Sequence, residues 1–109
     1  MAHDKELEGR IDLLSLNWPG MSKKKMFGGV GWLLNGNMAF GIWKDSLVVR
    51  CGAEAYADCL SLPGVAEFNV TGRPMVGWLL VGPDICASED ALLGWLEMGR
   101  DFAASLEAK

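Results

Sequence analysis

The dipeptide Asn35-Gly36 constrains this chain more than any other feature. Asn followed by Gly readily places both central residues of a two-residue loop at positive φ, the requirement of a type I′ hairpin turn. Apolar runs flank it on both sides, Gly29-Val30-Gly31-Trp32-Leu33-Leu34 before and Asn37-Met38-Ala39-Phe40-Gly41-Ile42-Trp43 after. A regular hairpin then sets Leu34 opposite Asn37, Leu33 opposite Met38, Trp32 opposite Ala39 and Gly31 opposite Phe40. A third run, Leu47-Val48-Val49-Arg50-Cys51, follows Lys44-Asp45 and extends the hairpin into a meander. In it Ile42 faces Leu47, Phe40 faces Val49 and Met38 faces Cys51.

Side chains on a strand alternate between faces, so this register sorts them. One face carries Leu33, Met38, Phe40, Ile42, Leu47, Val49 and Cys51, and is read as the core. The other carries Val30, Trp32, Leu34, Ala39, Trp43 and Val48, with Asn37 and Arg50 among them. It is too apolar to be left in water, and on a soluble domain such a patch marks an interface. Val30, Trp32, Leu34, Trp43 and Val48 are therefore the expected contact surface for a protein partner, in the first instance a second copy of the chain. Trp78 and Trp95 are read as core.

Around the meander the order is α-β-β-β-α-β-β-α. Leu7, Ile11 and Leu14 recur at helical spacing over residues 4–16, with Asp4 as a cap. Asn17-Trp18-Pro19-Gly20 ends that helix, and residues 21–25 read as a polar connector. A short helix follows over 53–62, stopped by Pro63-Gly64, then strands over 65–70 and 76–81 and a loop or single turn over 84–87. Leu92, Trp95, Leu96, Gly99, Phe102, Ala103 and Leu106 form one stripe on a helix over 88–106, capped by Ser88. Gly99 costs about 1 kcal/mol of helix propensity relative to Ala, and close approach to the sheet is the expected compensation. The fold class is α+β, an antiparallel sheet with helices packed mainly on one face, in a single domain over 1–109.

Several function classes find no support. The net charge is −4, with acidic ends and a mildly basic middle, which disfavours a domain built to neutralise phosphates, so no direct DNA binding is expected. No apolar run reaches the roughly 18 residues of a membrane span, and the charged N-terminus lacks a signal segment. Cys51, Cys59 and Cys86 have neither disulfide nor metal-ligand spacing; a cytoplasmic, reduced setting follows, with Cys86 the most accessible. The single histidine, His3, precedes the first helix, so no acid–base or nucleophilic machinery is anchored, and no catalytic residue, metal or cofactor is expected. Gly28-Gly29-Val30-Gly31 lacks the Gly-Lys-Ser/Thr and the following helix of a phosphate loop. Lys25, Arg50 and Arg73 around those glycines form the alternative, an anion-binding edge for a small molecule or a cryptic enzyme.

Three groups of residues together resemble the TfoX/Sxy N-terminal domain family: Lys25-Met26-Phe27-Gly28-Gly29-Val30-Gly31, Asn35-Gly36-Asn37-Met38-Ala39-Phe40 with Leu47-Val48-Val49-Arg50, and Gly72-Arg73-Pro74-Met75-Val76-Gly77-Trp78. Asp90-Ala91-Leu92-Leu93-Gly94-Trp95 in the last helix adds to the likeness. The resemblance implies the α+β order above and a regulatory, non-enzymatic domain with protein partners, in longer members the transcription machinery of natural competence. Those members carry a second helical domain, which is expected to be missing because the sequence ends at Lys109. The shared motifs are glycines, prolines and apolar residues, so the likeness carries over no catalytic residue.

Overall fold

The Asp4 carboxylate accepts hydrogen bonds from the backbone N–H groups of Glu6 and Leu7 and starts α1 (Lys5–Leu14), whose Leu7 and Ile11 are buried. The structure, a computed structural model, describes residues 4–26, 29–69, 72 and 75–107. Four strands follow α1: β1 (Met21–Met26), β2 (Gly29–Leu34), β3 (Asn37–Trp43) and β4 (Ser46–Arg50). Then come α2 (Ala53–Leu60), β5 (Val65–Glu67), β6 (Trp78–Val81), a 3₁₀ turn (Pro83–Cys86) and α3 (Glu89–Ala104). The Ser88 hydroxyl caps α3 by accepting from the Ala91 N–H. All six strands pair antiparallel in the order β1-β2-β3-β4-β6-β5.

The α+β class therefore stands, and the element order gains one strand. β1 occupies what reads in sequence as a polar connector. Ser22-Lys23-Lys24-Lys25 has no apolar alternation to announce a strand, but it lies at the sheet edge, where lysines face water and deter pairing with stray chains. The strand expected over 65–70 is shorter, ending at Glu67; Val70 lies outside the described residues.

Asn35 (φ 52°) and Gly36 (φ 86°) form the expected turn, and Lys44 (φ 58°) the next. Leu34 pairs with Asn37 and Leu33 with Met38, as the regular hairpin requires. Trp32, however, pairs with Phe40 rather than Ala39, and Gly31 with Gly41. Ala39 is an extra residue in β3, a bulge. One unpaired residue inverts the parity of everything beyond it. Val30, Trp32 and Leu34 thus join Phe40, Ile42, Leu47 and Val49 under the helices, while Leu33 and Met38 turn to the opposite face. The β3–β4 pairing, with Ile42 on Leu47 and Phe40 on Val49, is as expected.

α3 explains the bulge. A Cβ placed on Gly99 would collide with the Ala39 carbonyl oxygen, so only glycine lets the helix backbone sit against the extra residue. Leu92 and Leu96 of α3, Leu7 and Ile11 of α1 and Cys59 of α2 pack into the same core. The Trp32 and Phe40 rings lie 5.7 Å apart there. The buried Asn37 amide is satisfied by donating to the Glu107 carbonyl at 2.7 Å. Cys51 and Cys59 are buried as read, but Cys86 is not accessible: the 3₁₀ turn directs it into the core, 1 % exposed, with Sγ 3.4 Å from the Gly82 carbonyl. Burial pushes the thiols of all three upward, that of Cys51 to about 11.

Candidate functional site

Among the described residues no helix lies over the sheet face opposite α1, α2 and α3; its strand side chains pack with one another and with Phe68 and Met75 of the segment between β5 and β6. Val48 lies at the centre of that face, flanked by Gly41 of β3 and Leu80 of β6 in register. Met38 and Phe68 are buried beside it, and Met26, Leu33, Trp43, Met75, Trp78 and Leu80 surround them half-buried. None of these residues belongs to a helix. Two facing glycines shape the middle. A Cβ on Gly31 would meet the Met26 Sδ at 2.6 Å, and one on Gly41 the Met38 Cε at 2.9 Å, so both methionines lie flat over bare backbone. Phe68 folds back from the end of β5, its ring 6.2 Å from that of Trp78, and the Met75 N–H donates to the Phe68 carbonyl at 3.3 Å. This is a surface of flexible thioethers and amphipathic rings, the composition that adapts to a partner's shape.

Cations accompany the rings. The Lys44 ammonium sits 4.6 Å from the centre of the Trp43 ring. The Arg50 guanidinium lies at the end of β4, 5.0 Å from the Trp78 ring and 5.3 Å from that of Phe102 on α3. Burial draws the Arg50 pKa below its ordinary value, yet a guanidinium remains charged at neutral pH.

Of the five residues expected at an interface, the structure leaves Trp43 and Val48 on this open face and moves Val30, Trp32 and Leu34 into the helix-side core. Leu33, Met38 and Leu80 take their place. Leu80 was legible only as part of the strand expected over 76–81; Leu33 and Met38 were assigned to the wrong side because alternation across an apolar hairpin cannot reveal a bulge. Trp78, read as core, is half-buried on the open face.

Two members of the expected anion edge, Lys25 and Arg50, are not brought together. Lys25 pairs with Val30 on the outermost strand and shares that residue's helix-side parity, whereas Arg50 has open-face parity on β4. Three inter-strand spacings, about 14 Å, separate their strands. Arg73 and Gly28 lie outside the described residues, as does His3.

A polar cluster on the helix side is better defined. Lys23 Nζ donates to Glu8 at 2.7 Å and to Asp12 at 2.9 Å, and stands 5.4 Å from the centre of the Trp32 ring. Trp32 Nε1 donates to the other Asp12 oxygen at 3.2 Å. Desolvation pulls the Lys23 pKa down, but the two carboxylates outweigh it and hold the ammonium above its ordinary value. A hollow of about 280 Å³ beside the cluster is lined by Ser15, Trp18 and Met21 among others. These groups satisfy one another, and what they accomplish is to fasten α1 to β1 and β2. Among the described residues no three His, Cys, Asp or Glu side chains gather as a metal-binding group, and no helix is long and apolar enough to cross a membrane.

A family model described as the TfoX N-terminal domain matches residues 12–103, a span that runs from the last turn of α1 to the last turn of α3. No curated protein and no solved structure matches the chain.

Proposed function

The chain belongs to the TfoX N-terminal domain family, and from that premise we propose that it is a non-enzymatic regulatory domain that acts by binding another protein through the open face of its sheet. The observation that carries this reading is the second apolar cluster, centred on Met38, Val48 and Phe68 and ringed by half-buried Leu33, Trp43, Trp78 and Leu80 with no helix over it. Fully burying an exposed large apolar side chain is worth about 1.5–3 kcal/mol; Leu33, Trp43, Trp78 and Leu80 keep a minority of their surface in water, so each adds a fraction of that and together they favour association. Membership of a family of regulatory type makes a protein that controls gene expression the expected partner. Duplex DNA is not: with a net charge of −4, submicromolar binding in a gel shift near physiological salt is not expected. The anion-site alternative loses its support with the separation of Lys25 from Arg50.

The test is site-specific photo-cross-linking in cells with the full chain. A photoreactive residue at Leu33 or Leu80 is expected to capture a discrete protein, while one at Leu13, exposed on α1, is not. Equal labelling at all three positions, or none at Leu33 and Leu80, overturns the reading. Stabilisation by several degrees with a nucleotide or a phosphorylated metabolite in a thermal-shift screen would instead favour the small-molecule alternative.

A further inference from the structure

We infer that the partner presents to this face an acidic amphipathic segment, one whose carboxylates are interleaved with large apolar side chains. The inference rests on the open face being a binding surface and adds the chemistry of its occupant.

Carboxylates are distributed unevenly between the two sides of the sheet. All 14 carboxylate side chains of the protein fall at described positions, and none stands at an open-face position of a strand. Most belong to the helices, their caps and the 3₁₀ turn. The exceptions also lie on the helix side. Glu67 pairs with Leu79, which is in the helix-side core; Asp45 borders the same hollow as Asp4 and Arg10; and Glu107 follows α3.

The cations are found on both sides. On the helix side Lys5, Lys23 and Arg100 are held by carboxylates, Arg10 donates to the Ala87 carbonyl and Lys25 shares the parity of Val30. Lys24 shares the open-face parity of its partner Gly31, Lys44 lies on the Trp43 ring and Arg50 on the Trp78 ring. None of these three has an ion pair among the described residues. Among the described residues, the open apolar face of an acidic protein is thus fringed by cations and by no carboxylate. That arrangement repels the protein's own acidic side and attracts an acidic, apolar one.

The same charges argue against the other occupants. Two copies joined face to face would bring together two surfaces fringed by the same cations, with no carboxylate on either to meet them. A copy offering its acidic helices instead would leave its own open face free, a head-to-tail contact that does not close. Single-stranded nucleic acid stacks on aromatic rings, but the Trp43 and Trp78 rings already carry a stacked cation each, and 14 carboxylates lie just behind the sheet.

The experiment uses the purified full chain and two fluorescent synthetic peptides, one alternating Glu with Leu and Trp, the other identical with Lys in place of Glu. Anisotropy titrations are expected to show the Glu peptide binding at least about tenfold more tightly, with affinity falling as salt is raised from about 0.05 to 0.5 M. The Lys24→Gln/Lys44→Gln double variant, altered only at exposed side chains and checked by an unchanged thermal melt, is expected to lose about fivefold or more of that affinity, since each rim charge contributes modestly. Equal affinity for the two peptides, insensitivity to salt, or full binding by the double variant overturns the inference. So does tighter binding of a single-stranded oligonucleotide that displaces the Glu peptide, or a dimer in analytical ultracentrifugation that Trp43→Glu dissolves. If neither peptide binds while cross-links at Leu33 and Leu80 persist, the acidic chemistry is wrong and the interaction face stands; if both fail, the face itself falls.

Discussion

On the helix-covered side of the sheet, Phe40, Ile42, Leu47, Val49, Leu79 and Val81 are all 0 % exposed; on the open side only Val48 is, and the residues around it keep part of their surface in water. Both sides are apolar, and they are made from the same strands. The helix-covered side uses branched aliphatics and one pair of stacked rings, shapes with few rotamers that interlock with α3. The open side uses methionines laid over glycines and tryptophans topped by cations, groups that pack loosely and tolerate rearrangement. Hydrophobicity alone therefore does not distinguish the two sides; side-chain stiffness and the sign of the surrounding charge do, and the proposed contact surface rests on these.

The largest effect that bears on this contrast is the loss of a ring from the covered side. Phe40→Ala and Trp32→Ala are each expected to cost about 3–5 kcal/mol in urea unfolding, because both leave cavities in a closed core. If Trp32→Ala instead leaves stability untouched and only alters association, Trp32 is on the open face and the bulge at Ala39 is wrong.

Adding a methyl group to a glycine on each side gives a smaller, paired test. Gly99→Ala gains about 1 kcal/mol of helix propensity, yet is expected to destabilise by about 1–3 kcal/mol, because its Cβ meets the backbone oxygen of Ala39. Gly31→Ala meets only the side chains of Met26 and Met38, which can swing away, and is expected to cost less than about 1 kcal/mol. Equal losses would mean that the open side is as tightly packed as the covered one.

A pH titration probes the dryness of the covered side. Burial raises the Cys51 pKa from 9.0 to about 11, so the fold favours the neutral thiol. A pKa raised on folding adds stability that is complete below the unfolded value and is lost as pH climbs through the folded one. Stability measured by urea midpoint is accordingly expected to decline between about pH 9 and 11, and less steeply in Cys51→Ala once its own cavity cost is subtracted. Alkylation of Cys51, Cys59 and Cys86 at pH 8 is expected to be slow until the chain is unfolded. The smallest change in stability is expected from Trp43→Glu, less than about 1 kcal/mol in the urea midpoint, although the same variant should abolish capture through the open face.

What the sequence by itself determined was local or periodic. Asn35-Gly36 made its turn because both residues take positive φ readily, whereas in Lys44-Asp45 only Lys44 stands at positive φ. Asp4 and Ser88 capped their helices with their own side chains, and the stripe from Leu92 to Leu106 predicted which side of α3 is buried, with Leu92, Leu96, Gly99 and Ala103 at its centre. From these follow the meander, the α+β class and the resemblance to the family that residues 12–103 match. Tertiary structure alone decided the rest. β1 is a strand because β2 offers it an edge, since Ser22-Lys23-Lys24-Lys25 has no strand pattern of its own. Cys86 is buried because the 3₁₀ turn aims it beneath the sheet's helical cover. The side on which Trp32 falls depends on one unpaired residue, Ala39, pressed against Gly99 some sixty positions along the chain. Alternation could not reveal it, because both parities of the hairpin are apolar and a bulge inverts every assignment beyond itself without changing a single local preference.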